Sequence, residues 1–451
     1  MDLQGKRVIV VGLGRSGLDA ARLCLSKGAR LTATDRLQRS AVSPDVLAIE
    51  ASGARLVLGG HEGINWHDAD LVVVSPGVPW FNELHNAEQA GVEIVGEFDL
   101  ACRFVRAPIG VVGGTNGKST VTTWVGQMVE NLGNVFVGGN LGTPLAGHID
   151  EPWDCVILEI SSFQAERVPA LHPRAAALLN ITHDHLDRYA SFDDYADAKG
   201  NVFLNMAHDD VAVVPAGDSR CAKQASRGRC RIVTFGPNGH VHVENDAIVH
   251  RDHGWRFPLS SLRLKGNHNV SNACASIAMA AAMGATEDSI QHALASFDGL
   301  RHRMQWIAEI DGVCFYDDSK GTNVGATVAA LQGLSGSQPE SRTVLIAGGR
   351  DKLGGYEPLV EALRQRGRAL VVLGEAAERI AAAVAGAVPT IHASDMGEAV
   401  RAAKHSARPG DAVLLSPACS SYDMFKDYKH RGEVFRDEVR KLIGGDRRTT
   451  P

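Results

Sequence analysis

The chain has no surplus of positive charge. Its 46 lysines and arginines stand against 52 aspartates and glutamates, for a formal charge of −6. That excludes the broad basic face a nucleic-acid binder needs. No C-x-x-C pair occurs among the eight cysteines, at 24, 102, 155, 221, 230, 274, 314 and 419. Thiols scattered in this way point to reduced, buried side chains and a cytoplasmic setting. No apolar run approaches the roughly 18 residues that a membrane-spanning helix needs. The early run VIVVGL passes directly into a glycine-rich turn without a cleavage-site pattern, so it reads as a strand and not as a secretory signal. Repeats of solenoid length and low-complexity tracts are also missing, apart from a short polar tail, GGDRRTTP, of the kind that frays.

What is present is an ordinary globular composition, 44% hydrophobic and 22% charged over 451 residues, enough for two to four domains with buried cores. Short β-branched runs alternate with helical patterns almost throughout, the mark of parallel α/β domains. Strands are expected at 6–11, 30–34 and 70–74, again at 109–112, 154–158 and 176–180, and in VCFYD, TVLIAGG, ALVVLG, PTIHA and DAVLLS after residue 300. Residues 211–259 carry four short alternating runs between turn residues and are expected to be antiparallel. The reading is three α/β domains. The first is a Rossmann-like domain over 1–97. The second is a central P-loop ATPase-like domain with an added antiparallel sheet over 98–300. The third is a Rossmann-like domain over 301–451.

Two stretches look like phosphate cradles. In VVGLGRSGL, Gly12, Gly14 and Gly17 follow a strand and open a helix as G-x-G-x-x-G. Such glycines permit a tight turn and bring a pyrophosphate close to the helix N-terminus. Asp35 closes the second strand, where an acid meets a ribose hydroxyl. The pattern fits NAD, but UDP presents the same pyrophosphate and ribose, and glycines of this kind also serve simple packing turns. The turn SPGVP at 75–79 lies where a ligand at the strand ends would be touched, or is only a Pro-Gly turn. The second stretch, GVVGGTNGKST, also has a strand before it and a helix after it. Its backbone N–H groups would wrap phosphates, Lys118 would neutralise them and Ser119 would reach a Mg2+ ion. The spacing G-x-x-x-x-G-K-[ST] would need glycine at 112, where Val112 stands. The loop is the shorter G-T-N-G-K-[ST] kind, unlike that of GTPases and general ATPases.

This shortened loop resembles that of the Mur ligases and the related folylpolyglutamate synthases. Further stretches agree in order: GGNLGTPL, LEISSFQAE, NITHDHLDRY, a lysine at 199, LKGNHNVSN, GLRHRMQ, DDSKGTN and AGGRDK. The resemblance covers essentially the whole chain, and the ending SPACSSYDMFKDYKHRGEVF is similar to the D-glutamate-adding branch. It implies an ATP-dependent ligase that adds D-glutamate to UDP-N-acetylmuramoyl-L-alanine through an acyl phosphate, in cytoplasmic peptidoglycan precursor synthesis, acting as a monomer. ATP then sits in the second cradle and a UDP-sugar in the first.

The resemblance also implies residue roles. Gly114, Thr115, Asn116, Gly117, Lys118, Ser119 and Thr120 hold the ATP phosphates. Asn272 meets the adenine, although Asn269 and Asn272 could instead cap a buried helix. Arg303 meets a phosphate, His302 neighbours the base and Asp318 takes the ribose. Ser119, Glu159 and His185 serve two Mg2+ ions together with Lys199, expected to be carbamylated. Lys118, His185, Lys199, Arg303 and Lys320 carry catalysis. Ser16, Gly17, Asp35, Arg36, Ser75, Pro76, Gly77, Asn140 and His185 hold the UDP-substrate. Thr322, Lys352, Ser421, Tyr422 and Tyr428 hold D-glutamate. A dicarboxylate amine needs a cation and hydroxyl donors of this kind. ATP contacts drawn from two domains imply closure on binding. The pair His183 and His185 lacks a third histidine or a cysteine at metal spacing, which argues against zinc. The alternatives are a ligase of the same architecture adding L-glutamate or diaminopimelate, a folylpolyglutamate synthase, and, more distantly, an NAD-binding oxidoreductase or nucleotide sensor.

Overall fold

The structure is a computed structural model that describes residues 1–182, 188–264, 266–334, 340–351 and 355–445. Its described part holds three sheets. The first contains β1 (Arg7–Val11), β2 (Arg30–Asp35), β3 (Arg55–Leu58), β4 (Leu71–Val74) and β5 (Ile94–Gly96) in the order β3-β2-β1-β4-β5, all parallel. Val8 to Val11 and all of β4 are buried, as continuous apolar strands covered on both faces should be. The strand order reverses between β1 and β4. The crevice beyond their carboxyl ends is where open α/β sheets take ligands.

The second sheet has nine strands: β6 (Ile109–Gly113), β7 (Val135–Gly139), β8 (Cys155–Glu159), β9 (Ala175–Leu178), β10 (Val211–Pro215), β11 (Arg231–Phe235), β12 (Val241–Glu244), β13 (Ala247–His250) and β14 (Trp255–Pro258). Their order is β14-β13-β12-β11-β10-β9-β6-β8-β7. Here the expectation for residues 211–259 is corrected. They do not form an added antiparallel sheet. β10 pairs parallel to both β9 and β11 and extends the central sheet, and only β12, β13 and β14 form an antiparallel meander at its edge. The physical reason is the helix Ser219–Ala225, capped by Asp218, whose carboxylate accepts from the Arg220 and Cys221 N–H groups at 3.0 and 2.9 Å. A helix between two strands makes a parallel crossover.

The third sheet contains β15 (Gln305–Ile310), β16 (Val313–Asp317), β17 (Thr343–Gly348), β18 (Gly367–Leu373), β19 (Thr390–His392) and β20 (Ala412–Leu415), ordered β15-β16-β20-β17-β18-β19. β15 is antiparallel to β16 and the other pairs are parallel. Its side chains alternate between two cores. Val344 and Ile346 pack on one face with Phe315 and Phe435, while Leu345 and Ala347 pack on the other with Leu359 and Leu363.

The chain clusters into two compact units. One comprises Met1–Ile181, Asp193–Ser261 and Ala273–Ala295, and contains the first two sheets. The other contains the third sheet together with the segments 182–192 and 262–272. All eight cysteines are free thiols, and six are buried. Burial pushes Cys24 and Cys274 up to about 12, so such thiols stay protonated and inert. Among the described residues no helix is long and apolar enough to cross a membrane.

Candidate active site

The first glycine loop opens onto a cleft of about 440 Å³ in the first unit. Gly12 follows β1 with a φ of +84°, a left-handed conformation that suits glycine, and Gly14 stands before the helix Arg15–Ser26. A Cβ on Gly17 would lie 1.8 Å from the Gly12 carbonyl oxygen and 2.4 Å from Ser75 Oγ. Gly17 is therefore the point where helix and strands meet. Ser75 Oγ donates to the Gly12 carbonyl at 2.7 Å. Asp35 accepts from the Leu13 N–H at 2.6 Å and from the Leu37 N–H at 2.9 Å. Its carboxylate thus fixes the loop as well as facing the cleft.

Of the residues predicted for the UDP end, Ser16, Asp35, Ser75, Pro76, Gly77 and Asn140 line the cleft. Gly17 and Arg36 are not among the lining residues. Gly17 is buried under the turn, and Arg36 is exposed with its guanidinium 5.9 Å from the Phe81 ring. Arg15, Gly139 and Gln164 also line the cleft. The sequence reading passed over them, because Arg15 is one of the unspecified positions of G-x-G-x-x-G.

The second glycine loop belongs to the same unit. Gly114 (φ +135°) and Gly117 (φ +86°) take left-handed conformations, and the helix Lys118–Met128 starts directly after them. Lys118 Nζ reaches back to the carbonyls of Gly114 and Thr115, at 3.0 and 2.8 Å. Lys199, at the end of the helix Phe192–Gly200 and 4% exposed, donates to the same Gly114 carbonyl at 2.8 Å. Two ammonium groups therefore converge on one loop, as a site for polyanions requires. Ser119 and Thr120 are buried in the first helical turn.

Asn180, which the sequence reading did not single out, clamps this loop. Its side chain accepts from the Asn116 N–H at 2.8 Å and donates to the Asn116 carbonyl at 3.0 Å, and its own carbonyl accepts from the Thr115 N–H at 3.0 Å. The Thr115 hydroxyl lies 3.0 Å from the Tyr195 hydroxyl.

Glu159 ends β8 opposite Val112 of β6, with 1% exposure. It accepts from Asn140 Nδ2 at 2.6 Å, which joins the cleft to the phosphate loop. A carboxylate and a serine hydroxyl beside a phosphate loop are the hard oxygen donors that suit Mg2+, an ion that keeps waters and phosphate oxygens as its other ligands. His185 and Lys352 lie outside the described residues.

The second unit gathers the remaining candidates. Asp317 and Asp318 follow each other at the end of β16, both buried. Asp317 is bonded to His302 Nδ1 at 2.7 Å. Asp318 accepts from Ser416 Oγ at 2.7 Å and from the Met304 N–H at 3.2 Å, and burial pushes its carboxyl up to about 7. Arg303 is half-buried, and its charge acts on Asp318. Asn272 Nδ2 donates to Asn269 Oδ1 at 3.4 Å. Lys320 Nζ lies 4.8 Å from the centre of the Tyr428 ring and 3.4 Å from its hydroxyl. The Thr322 N–H donates to the Lys320 carbonyl at 2.8 Å. Ser421 is buried, whereas Tyr422 is 66% exposed.

Arg431, another residue absent from the sequence reading, holds these loops together. It is 2% exposed and donates to the carbonyls of Ser319, Gly348, Cys419 and Ser420 and to Ser319 Oγ. Burial lowers it to about 10, so it remains a cation at neutral pH.

Two glycine loops of different kinds, a buried carboxylate beside one of them, and a third α/β sheet with its own lysine and acid pair are what a nucleotide-dependent enzyme of several α/β domains requires. Comparison with known proteins agrees. Residues 6–96 match the Mur ligase MurD-like N-terminal domain, 112–280 the Mur ligase middle domain, and 302–419 the Mur ligase glutamate ligase domain. This chain belongs to the Mur ligase family.

The branch it resembles over its full length is that of the UDP-N-acetylmuramoylalanine–D-glutamate ligases. It is 42% identical to the one from Geotalea daltonii, across 99% of this chain and 100% of that protein, and 43% identical to the one from Desulfosudis oleivorans, across 99% and 98%. Among solved structures, the UDP-N-acetylmuramate–alanine ligase MurC of Thermotoga maritima matches with a TM-score of 0.60 at 20% identity, covering 97% of this chain and all of that one. The likeness in structure shows the three-domain fold.

Proposed function

We propose that this protein joins D-glutamate to UDP-N-acetylmuramoyl-L-alanine at the expense of ATP, in cytoplasmic peptidoglycan precursor synthesis, working as a monomer. The observation that carries this reading is the pairing of a cleft built for a nucleoside diphosphate with a phosphate loop, tied by the Asn140–Glu159 hydrogen bond.

Forming an amide from a carboxylate is uphill in water, so the carboxylate has to be activated. It attacks the γ-phosphorus of ATP, and ADP leaves. The D-glutamate amine then attacks the acyl phosphate, and phosphate leaves from the tetrahedral carbon. Two anions must approach each other in the first step, so cations have to line the transfer path. Lys118 supplies positive charge at the loop, where its Nζ reaches the Gly114 and Thr115 carbonyls. The amide of Gly117 cradles phosphate oxygens, the Asn116 N–H being held by Asn180 Oδ1, with Gly114, Thr115 and Thr120 shaping the loop.

Ser119, Glu159 and His185 are the residues that would hold Mg2+, and Lys199 joins them if it is carbamylated. The ions, when bound, neutralise phosphate charge. Ser16, Asp35, Ser75, Pro76, Gly77 and Asn140 hold the UDP-substrate, with Arg36 toward its uridine end. Asn272, Arg303 and Asp318 are assigned to the nucleoside and phosphates of ATP, and Lys320 to the transferred group. Thr322, Lys352, Ser421, Tyr422 and Tyr428 are assigned to the carboxylates of D-glutamate.

The test is phosphate release from Mg-ATP and UDP-N-acetylmuramoyl-L-alanine with D-glutamate, L-glutamate, meso-diaminopimelate, L-lysine or no amino acid. Release with D-glutamate alone is expected. Release with another amino acid would reassign the third domain. No release with any, despite ATP binding, would overturn the reading of the cleft.

A further inference from the structure

We infer that Arg15 is a specificity-determining residue for the diphosphate of the UDP-substrate, supplying the cation that the cleft otherwise lacks. The inference rests on the cleft being the UDP site, as proposed above.

A nucleoside diphosphate bound to a sugar carries two negative charges. Among the described residues that line the cleft, Arg15 is the one lysine or arginine, and Asp35 is the one acid. Without Arg15, the lining would present a net negative charge to a dianion. The rest would depend on backbone N–H groups and on the positive end of the helix Arg15–Ser26, a partial charge of roughly one half.

Arg15 is also placed against local preference. It occupies the first turn of that helix, where a cation is repelled by the helix dipole, and no acidic residue stands in that turn to offset it. Two turns on, Arg22 is paired with Asp19 and Asp45. The Arg15 side chain, by contrast, is exposed and makes no ion pair or hydrogen bond with any described residue. A residue that breaks a local rule without a structural return marks a functional position. Its guanidinium has the planar fork that matches phosphate oxygens.

The test is calorimetric binding of UDP-N-acetylmuramoyl-L-alanine, and separately of ATP, to the full-length protein and to its Arg15→Ala and Arg15→Lys variants. Alanine suits an exposed first-turn position, so the fold is expected to survive. The expected result is a Kd for the UDP-substrate raised about tenfold in Arg15→Ala, a smaller rise in Arg15→Lys, a weaker salt dependence in Arg15→Ala, and an ATP affinity equal to that of the parent. Parent-like binding of the UDP-substrate by Arg15→Ala overturns the inference and leaves the cleft assignment intact. Loss of ATP affinity along with it would mean a structural role, and also overturns it. Failure of the unaltered protein to bind the UDP-substrate overturns the cleft assignment itself.

Discussion

Replacing Gly17 with alanine tests whether the first glycine loop is built as described. The added Cβ would sit 1.8 Å from the Gly12 carbonyl oxygen and 2.9 Å from its carbon, both backbone atoms, and 2.4 Å from Ser75 Oγ. Contacts under 3.0 Å are essentially never tolerated, so the helix must retreat from the strands by about 1.2 Å. The Ser75–Gly12 hydrogen bond at 2.7 Å lies in the way. Overpacking costs about 1–3 kcal/mol and the lost hydrogen bond about 1 kcal/mol, together about 2–4 kcal/mol of stability. A shift of that size also moves the helix N–H groups off their target, which raises KM for the UDP-substrate on the order of tenfold to a hundredfold, with KM for ATP much less affected. Gly14→Ala is the control. A Cβ there meets nothing within 4 Å, and its φ of −65° suits any residue. It should lose no more than about 1 kcal/mol, the cost of a poorer helix N-cap, so a rise in KM beyond that reports the ligand's approach. Urea denaturation and steady-state kinetics read both variants. A Gly17→Ala protein with parental stability and parental KM for the UDP-substrate would refute the reasoning.

Asn180→Ala removes two side-chain hydrogen bonds from the phosphate loop and should raise KM for ATP about tenfold, with UDP-substrate binding unchanged by calorimetry; unchanged ATP kinetics would deny Asn180 its clamping role. Asp318 is an acid whose folded value, about 7, lies above its ordinary 3.8, so between those values the folded chain holds a proton that the unfolded chain does not. Its contribution to stability is therefore complete below about pH 4 and falls as pH rises to 7, by at most about 4 kcal/mol, and Asp318→Asn should flatten that slope in urea midpoints measured from pH 5 to 8. Lys199→Ala should lose nearly all activity and regain part of it with added short carboxylates if the lysine acts as a carbamate; an active Lys199→Ala protein would remove that assignment, and a variant that stays inactive with every carboxylate would favour the plain ammonium at the Gly114 carbonyl.

Those residues differ in how far the sequence announced them. The glycine loops were legible because a strand, a forced turn and a helix start must follow one another at fixed spacing. Most parallel strands were legible as continuous apolar runs, since burial on both faces leaves no polar positions. β3 and β5 escaped notice because they are short flanking strands of four and three residues. β7, with the sequence VFVGG, is not among the expected strands, since its two terminal glycines weaken the strand pattern, although it delivers Gly139 and Asn140 to the cleft. β15 pairs antiparallel at the margin of the third sheet and follows a segment that read only as a domain boundary.

The parallel pairing of β10 with β11 is hard to see in the sequence because the intervening helix has just seven residues. Asn180 and Arg431 were invisible for a different reason. They act on backbone groups of distant loops, and no local pattern encodes such partners. Asp35 was found for its position in the pattern, yet the structure gives its carboxylate two backbone N–H groups as well.

The central claim is that the substrate carboxylate takes phosphate from ATP before the amine attacks. The measurement that tests it most directly uses UDP-N-acetylmuramoyl-L-alanine with 18O at both carboxylate oxygens, incubated with Mg-ATP, D-glutamate and this protein, followed by mass analysis of the released phosphate. The carboxylate oxygen that attacks the γ-phosphorus must leave with it, so the account predicts one 18O atom in each phosphate formed. Amide product accompanied by unlabelled phosphate would contradict it.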